Sequence, residues 1–343
     1  MIISRTPFRI SFFGGGTDYP GWYREHGGSV LVTTIDRYCY ISCRYLPPFF
    51  DYKYRIIYSK IEMTNTPDEI QHPSVRAVLK YLRFKDGLEI HHDGDLPART
   101  GLGSSSSFTV GCLNVCYALK GKMVSKEHLS KEAIHIEQDI NKENVGSQDQ
   151  TAVAFGGLNR IDFSGDHDIK VTPVILEEKT KALLQAHLML VFTGFSRIAS
   201  DVAKEQIDNL GKKHRQLRQM HKMVDEAVHI LANPQDIEKF GKLLDESWQL
   251  KRSLSSKISN PQIDEIYALA RKSGALGGKL LGAGGGGFML LFARPEDQMY
   301  IRRKLKRFLH IPFKFENLGS QVIFYAPDVK EKNDWNRYHR HHR

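Results

Sequence analysis

The stretch LPARTGLGSSSSFTV, from Leu96 to Val110, places two glycines and four consecutive serines directly before an apolar run. Gly101 and Gly103 allow the backbone to turn tightly and to approach a ligand closely. The serines stand where a helix is expected to begin, and a helix N-terminus offers unpaired N–H groups and a positive dipole end that suit phosphate. The lysine of the usual P-loop is absent. The stretch therefore predicts either an unusual phosphate cradle or a serine-capped helix that follows a glycine turn.

A second glycine-rich stretch, KLLGAGGGGFMLLF, runs from Lys279 to Phe292. A dinucleotide-binding loop needs a strand before its glycines and a helix after them, whereas a strand-like apolar run follows here. We expect a loop that packs closely against either a ligand or another backbone segment.

The N-terminal stretch RTPFRISFFGGGTDYPGW, from Arg5 to Trp22, joins a strand pattern to three glycines and an aspartate. Arg9 on the strand could clamp a phosphate or steer a carboxylate. Asp18, beyond the glycines, could accept hydrogen bonds from sugar hydroxyls. A surface hairpin with a charged tip is the alternative interpretation.

Two carboxylates mark the stretch IEQDINKENVGSQDQTAVAFGG, from Ile136 to Gly157. Glu137 lies four residues after Ala133, so it borders the buried face of the predicted helix and needs a partner such as a metal ion. Asp149 lies beyond a glycine turn and could act as a base or stabilise charge at a hydroxyl nucleophile. Each carboxylate taken singly is equally consistent with a structural role.

Bulk composition describes an ordinary folded protein with a basic bias. The chain has 343 residues, of which 41% are hydrophobic and 26% charged, and this length favours two domains over one. The net charge of +10 indicates anionic partners. Nucleic acid, a membrane surface and phosphorylated small molecules all satisfy that criterion.

The cysteines and the N-terminus indicate a reducing compartment. Cys39, Cys43, Cys112 and Cys116 form two C-x3-C pairs, unlike the closer spacing that zinc sites favour, and we expect buried thiols. No signal-peptide pattern or bilayer-length apolar run is visible in the sequence, so a cytoplasmic protein without a membrane partner is expected.

Hydrophobic periodicity suggests a change of organisation near residue 180, which predicts domains over 1–180 and 181–343. The first part alternates strands and helices, and the second adds three amphipathic helices, a strand, a basic helix and a last strand. The segments concerned are, in chain order, strands over 29–35, 38–46 and 88–93, helices opened by Pro73 and Ser125, a strand over 187–193, helices over 217–231, 237–250 and 263–270, a strand over 288–293, a basic helix over 301–309 and a strand over 322–325.

Taken together and in this order, these stretches resemble the GHMP kinases, the superfamily of galactokinase, homoserine kinase, mevalonate kinase and phosphomevalonate kinase. The match covers most of the chain. Within the superfamily, TPFRISFFGGGTDYPGW, TIDRY and HPSVRAVLKYL look most like the D-glycero-D-manno-heptose 7-phosphate kinases, which phosphorylate an anomeric hydroxyl. The resemblance implies an α+β fold of two domains, an N-terminal ribosomal-protein-S5-like domain and a C-terminal ferredoxin-like domain, with the site between them.

The resemblance also implies ATP and Mg²⁺ as cofactors, a phosphorylated heptose as substrate, and roles for particular residues. Asp149 and Arg9 would be catalytic, and Ser105 and Glu137 would bind the metal. The residues implied to bind ATP are Pro97, Gly101, Leu102, Gly103, Ser104, Ser105, Ser106 and Ser107. Those implied to bind the sugar are Gly16, Thr17, Asp18, Asp36, Gly284, Gly285 and Gly286.

Other functions stay open at this point. Gly15 and Gly16 replace a Glu-His pair of galactokinases, which argues against galactose but leaves a kinase for another sugar such as fucose. A sensor that binds ATP and sugar without catalysis is a second alternative. A nucleic-acid binder is a third, but it is suggested by charge alone, and we expect no nucleic-acid partner. A heptose phosphate needs a second phosphate subsite, for which Arg37, Lys53, Arg55 and Arg99 are candidates. The oligomeric state is open.

Overall fold

Two long antiparallel strands form the centre of the first sheet. The computed structural model describes residues 1–327 apart from 48, 167, 195–202, 206 and 209. Strand β1 spans Ile2–Phe13 and pairs along most of its length with β2, which spans Gly28–Tyr45. The two adjacent strands predicted here are one strand. A bulge at Asp36 and Arg37, opposite the step from Pro7 to Phe8, interrupts the pattern of β2 without ending it.

Nine of the described strands form this sheet, in the order β13-β1-β2-β5-β3-β4 with three strands off that path. The last two strands come from the C-terminal part of the chain and pair with β1 and β2. The boundary near residue 180 stays a prediction. The strands not yet given are β3 (Tyr54–Ile57), β4 (Ile61–Thr64), β5 (Leu88–Gly94), β6 (Leu158–Ser164), β7 (Asp168–Pro173), β12 (Phe315–Glu316) and β13 (Gln321–Tyr325).

The helices of the first half pack beside this sheet. They are α1 (Pro20–His26), α2 (Pro73–Tyr81), α3 (Ser104–Leu119), α4 (Lys126–Ile134), α5 (Gln148–Phe155) and α6 (Glu178–Ala186). Helix α3, which contains the serine run, lies against β1 and β2 and is almost entirely buried. The predicted starts of α2 and α4 are confirmed. Pro73 is the first residue of α2, and the Ser125 side chain caps α4 by accepting from the His128 N–H.

The spacing of Leu129, Ala133, Ile136 and Ile140 predicts one buried helical stripe between Ser125 and Asn141. The helix instead changes character at His135, where six residues, His135–Ile140, adopt π-helical hydrogen bonding. The wider turn rotates the side chains that follow relative to an α-helix. Ile140, which was predicted to lie on the buried stripe, is therefore exposed, whereas Glu137 is completely buried.

Four described strands form the second sheet, with the antiparallel order β11-β8-β10-β9. They are β8 (Leu188–Phe192), β9 (Ala275–Leu280), β10 (Phe288–Ala293) and β11 (Leu309–Ile311). Helices α7 (His214–Ala232), α8 (Glu238–Arg252) and α9 (Pro261–Lys272) lie between β8 and β9 in the chain, and α10 (Pro295–Lys304) follows β10. This order is that of a ferredoxin-like sheet and agrees with the α+β prediction. The basic helix begins earlier than predicted and ends at Lys304, so Leu309 belongs to a strand.

Aromatic packing joins the end of β1 to the second sheet. The rings of Phe12 and Phe13 lie 5.5 and 5.1 Å from the ring of Phe240 on α8, both edge to face. Phe240 in turn contacts Phe292 on β10. Strand β1 is thereby fixed to α8 just beyond Arg9.

All four cysteines are buried free thiols. Within the described part of the chain, no helix is both long and apolar enough to cross a membrane.

Candidate active site

An arginine from β1 and an aspartate from the first turn of α5 form a two-point ion pair. Arg9 Nε donates to Asp149 Oδ1 at 2.7 Å, and Arg9 Nη2 donates to Asp149 Oδ2 at 2.6 Å. The Arg9 side chain is 3% exposed, whereas that of Asp149 is 25% exposed. The planar guanidinium therefore fixes the orientation of a carboxylate that a ligand can still reach.

The same arginine holds the serine loop. Arg9 Nη1 donates to the Gly101 carbonyl at 2.6 Å, and the Arg9 backbone N–H donates to the Leu102 carbonyl at 3.0 Å. Helix α3 then begins at Ser104, after Gly103 with φ of 76°, and no side chain caps its N-terminus. A 16-residue helix with an uncapped N-terminus beside an arginine meets the requirements for binding phosphate. This N-terminus therefore lacks the serine cap that the alternative interpretation of the stretch requires.

The second glycine stretch packs directly against the first. A Cβ placed on Gly101 would lie 2.3 Å from the Leu281 carbonyl oxygen, and the Phe288 N–H donates to the Thr100 carbonyl at 3.0 Å. The Gly285 N–H donates to the Ile258 carbonyl at 2.9 Å. The glycines of this loop therefore permit close approach to other backbone segments. The sugar-binding role of Gly284, Gly285 and Gly286 stays a prediction.

Replacing Gly101 by alanine is expected to lower kcat/KM at least tenfold and to destabilise the fold. Gly101 has φ of 84°, and the atom that its Cβ would meet belongs to a backbone that cannot rotate away. Gly121→Ala is the matched control, since Gly121 has φ of 69° but nothing within 4 Å of its Cβ position. The control variant measures the destabilisation that the left-handed backbone conformation alone causes in a non-glycine residue, about 1–2 kcal/mol. Chemical denaturation and steady-state kinetics of both variants measure the difference, and equal losses would contradict close packing of the two loops.

Glu137 is a buried carboxylate with an unsatisfied oxygen. Its Oε2 accepts from Ser106 Oγ at 3.0 Å and from the Gln150 side chain, whereas Oε1 has no hydrogen-bond partner among the described residues. Burial raises the pKa of Glu137 to about 8, and the nearby Glu143 carboxylate adds to this effect. A divalent cation would relieve both conditions, because carboxylate and hydroxyl oxygens are the ligands that Mg²⁺ prefers.

The structure brings Ser106, rather than Ser105, to Glu137. The Ser106 side chain is buried and the Ser105 side chain is exposed. Ser107 is also buried and donates to the Pro7 carbonyl at 2.9 Å, so its hydroxyl ties α3 to β1. The roles implied for Ser104 and Pro97 in holding ATP stay predictions.

Asp18 lies buried in the loop that follows β1. Its carboxylate accepts from the Gly16 N–H at 2.9 Å, and burial raises its pKa. Gly146 is necessary here, because a Cβ on it would lie 1.9 Å from an Asp18 carboxylate oxygen. The Thr17 hydroxyl donates to the Gly14 carbonyl at 2.8 Å and therefore shapes the loop from within.

Asp36 occupies the bulge of β2. Its carboxylate accepts from the Lys314 N–H at 2.7 Å, and its own N–H donates to the Lys314 carbonyl at 2.9 Å. These bonds attach the segment before β12 to the bulge. Binding of sugar by Asp36 stays a prediction.

Two buried lysines near Arg9 were not predicted from the sequence to belong to the site. Lys251 Nζ, at the end of α8, donates to the carbonyls of Leu280 and Gly282 and so anchors the second glycine loop. Lys279 Nζ donates across to the Phe12 carbonyl of β1 at 2.8 Å. Burial lowers the pKa of Lys251 to about 7 and that of Lys279 well below its ordinary value. The position of Lys279 inside a run of apolar strand residues could have indicated that this lysine is buried.

Replacing Lys251 by methionine is expected to change how stability depends on pH. Because folding lowers the pKa of Lys251 from 10.5 to about 7, the native state loses stability as the pH falls from about 10.5 towards 7. The methionine variant lacks this loss. The free energy of unfolding of Lys251→Met, relative to the parent protein, should therefore rise by a few kcal/mol between pH 10 and pH 6, since one pKa unit corresponds to about 1.4 kcal/mol.

Denaturant unfolding at the two pH values measures this change. Lys242→Met, which removes an exposed lysine from the same helix, is the control and should show no such dependence. A difference between Lys251→Met and the parent that stays constant with pH would contradict the prediction.

Comparison with known proteins finds both related sequences and related structures. Two family models match the chain, "GHMP kinases N terminal domain" over residues 73–157 and "GHMP kinases C terminal" over residues 216–311, and together they cover more than half of it. The chain is 28% identical over 319 residues to a D-glycero-alpha-D-manno-heptose 7-phosphate kinase of Campylobacter jejuni, a match covering 89% of this chain and 93% of that protein.

Two further relatives broaden the comparison. A bifunctional fucokinase/GDP-fucose pyrophosphorylase of Arabidopsis thaliana is 25% identical over 91% of this chain and 32% of its own length. Among solved structures, a D-glycero-D-manno-heptose 1-phosphate kinase from Bacteroides thetaiotaomicron superposes with a TM-score of 0.78 at 20% identity, over 95% of this chain and 100% of that one. The predicted family and the α+β fold are confirmed.

Proposed function

The chain belongs to the GHMP kinases, a family of phosphotransferases, and we propose that it transfers the γ-phosphate of ATP to the anomeric hydroxyl of D-glycero-D-manno-heptose 7-phosphate. The product is the 1,7-bisphosphate. One observation supports this proposal above the others, the two-point pair between Arg9 and Asp149 beside the uncapped N-terminus of α3. Similarity to a heptose 7-phosphate kinase over nearly the whole chain supports the choice of acceptor.

Each residue of the site has a separate role in the proposed reaction. Asp149, held by Arg9, accepts the proton of the anomeric hydroxyl, whose oxygen forms a bond to the γ-phosphorus as the bond from that phosphorus to the bridging oxygen of ADP breaks. Arg9 and the free N–H groups at the start of α3 offset the charge on the phosphoryl oxygens. Asp18 holds a sugar hydroxyl. Glu137 and one of the serines, Ser105 or Ser106, would hold Mg²⁺, which would neutralise phosphate charge.

The test is release of ADP from Mg-ATP with a panel of acceptors. Heptose 7-phosphate should be turned over, whereas unphosphorylated heptose, fucose, galactose and mevalonate should be much poorer acceptors. Phosphorus NMR of the product should show a new anomeric phosphate. Turnover of fucose in preference to heptose 7-phosphate would replace the proposal with a fucose kinase, an alternative that the similarity to a fucokinase favours. Retained ATP binding without any turnover would indicate a sensor.

Replacing Glu137 by glutamine is expected to raise the Mg²⁺ concentration for half-maximal activity about tenfold or more, because a charged oxygen ligand is replaced by a neutral one. Calorimetry of Mg²⁺ binding with a non-hydrolysable ATP analogue supplies a readout that is independent of turnover. Ser105→Ala and Ser106→Ala form a matched pair. The serine that binds the metal should reproduce the effect in a weaker form, and the other should not. An unchanged Mg²⁺ requirement in Glu137→Gln would contradict the metal assignment.

A further inference from the structure

Gln150 follows the proposed base in the chain, and its side chain is fully buried. Within the described part of the chain this side chain makes one hydrogen bond, from its Nε2 to Glu137 Oε2, and its Oε1 has no partner. An unsatisfied buried oxygen destabilises a fold, whereas an apolar side chain of the same size does not. The amide is therefore explained better by its contact with Glu137 than by packing of the core.

The contact with Gln150 determines which oxygen of Glu137 is available. Oε2 accepts from Gln150 on α5 and from Ser106 Oγ on α3 at 3.0 Å, so donors from two helices occupy it. Oε1 has no hydrogen-bond partner among the residues that the structure describes. Since an amide and a hydroxyl are neutral, they orient the carboxylate without cancelling its charge.

Glu137 also differs from the buried carboxylate of Glu89, which contacts both Arg44 and Arg55. Over residues 1–327, with the gaps given above, no lysine, arginine or histidine forms an ion pair with Glu137, and the nearby Glu143 carboxylate adds negative charge. A buried carboxylate is stable in its charged form only beside a cation, and here the bound metal ion would supply it.

The helix turn that bears Gln150 is fixed to its neighbours. The Thr151 hydroxyl donates to the Ser147 carbonyl at 2.9 Å and accepts from Ser130 Oγ of α4 at 2.8 Å. The same turn contains Asp149. One rigid turn therefore positions both the proposed base and the amide that orients the proposed metal ligand.

We propose that Gln150 is a positioning residue for Mg²⁺, because its amide holds Oε2 of Glu137 and leaves Oε1 as the oxygen that binds the metal ion. The inference rests on the metal-binding part of the proposed function and is independent of the acceptor sugar. Gln150 itself touches neither the metal ion nor the reacting atoms, and no bond forms or breaks there.

Gln150→Met tests this role, because methionine has a similar length but cannot donate to Glu137. The affinity for Mn²⁺, a spectroscopic substitute for Mg²⁺, should fall about tenfold or more, as is usual when a group that orients a metal ligand is removed. Electron paramagnetic resonance of free Mn²⁺, titrated into each protein with a non-hydrolysable ATP analogue, measures the affinity without turnover. An unchanged affinity would overturn the inference.

Gln138→Met is the matched control. The Gln138 amide also donates hydrogen bonds, to the Val145 carbonyl at 3.1 Å and to Ser147 Oγ at 3.2 Å, and neither of these goes to Glu137. This variant should retain Mn²⁺ affinity within twofold of the parent protein, and denaturant unfolding verifies that both variants fold. A loss of affinity of similar size in the two variants would show that Gln150 acts only through general stability, and the assignment would be wrong.

A double-mutant cycle with Glu137→Gln tests whether Gln150 acts through the carboxylate. If it does, adding Gln150→Met to Glu137→Gln should lower Mn²⁺ affinity by less than twofold. The full loss in that background overturns the inference. Unchanged affinity in Glu137→Gln alone, or absence of protein-bound Mn²⁺ in the parent protein, overturns both the inference and the metal assignment. If the Mn²⁺ results are as expected but heptose 7-phosphate is not phosphorylated, the proposed acceptor fails and the inference stands.

Discussion

Asp149→Asn is expected to lower kcat by about 10²- to 10⁴-fold, the range associated with loss of a general base. Asparagine preserves the shape of the side chain and one oxygen for Arg9, so the fold and the binding of ATP should change little. It cannot accept the proton of the attacking hydroxyl, and it removes the negative charge that the guanidinium now balances. Steady-state assays with Mg-ATP and heptose 7-phosphate measure kcat, and fluorescence titration with an ATP analogue measures binding.

A second arginine–aspartate pair provides the control. Arg160 on β6 donates to Asp162 at 2.8 Å, so Asp162→Asn makes the same chemical change at a pair that the proposed chemistry does not use. That variant should retain activity within twofold of the parent protein. Retention of more than a tenth of kcat in Asp149→Asn would show that the aspartate is not the base.

Arg9→Met is expected to lower kcat by about 10²- to 10³-fold, comparable to the loss of one preorganised donor to a transition state. Two observed connections disappear together, those to Asp149 and to the Gly101 carbonyl, along with the proposed contact to the phosphoryl group. Arg9→Lys should be intermediate, because an ammonium supplies charge but cannot make the two-point contact.

A double-mutant cycle distinguishes cooperation from independent action. If Arg9 and Asp149 work as a unit, the Arg9→Met/Asp149→Asn variant should be little slower than the slower single variant. Multiplication of the two single losses would show that each residue acts independently. Arg160→Met is the control for loss of an arginine beside an aspartate and should remain within twofold of the parent rate.

Local patterns predicted most of the secondary structure, because a helix or a strand imposes its own period on the sequence. The helix starts at Pro73 and Ser125 and the strand over Phe288–Ala293 are examples. The bulge in β2 broke the alternation of that strand and produced an incorrect division into two. The pairing of Gln321–Tyr325 with β1 depends on a contact across more than 300 residues, for which the local sequence contains no signal.

The site was predictable to the extent that its chemistry left an unusual residue in an apolar context. Glu137 at a core edge is the best example, and the structure places it fully in the interior. The order of the serines was not decidable in the same way. Four identical residues give no indication of helical phase, so only the structure brings Ser106 to Glu137. Lys251 follows an apolar stripe at the end of a helix, where a lysine is ordinarily solvated, and its burial depends on the distant glycine loop.

The return of the C-terminal strands also constrains how the protein is made. Strand β1 is synthesised more than 300 residues before the partner at its outer edge, β13, which is completed only when residue 325 has been added. Throughout that interval the edge of the first sheet presents unpaired N–H and C=O groups, which are a template for aggregation. Nascent chains that stall before residue 321 should therefore depend on chaperones to remain free of aggregates, whereas chains that extend beyond residue 325 can close the edge.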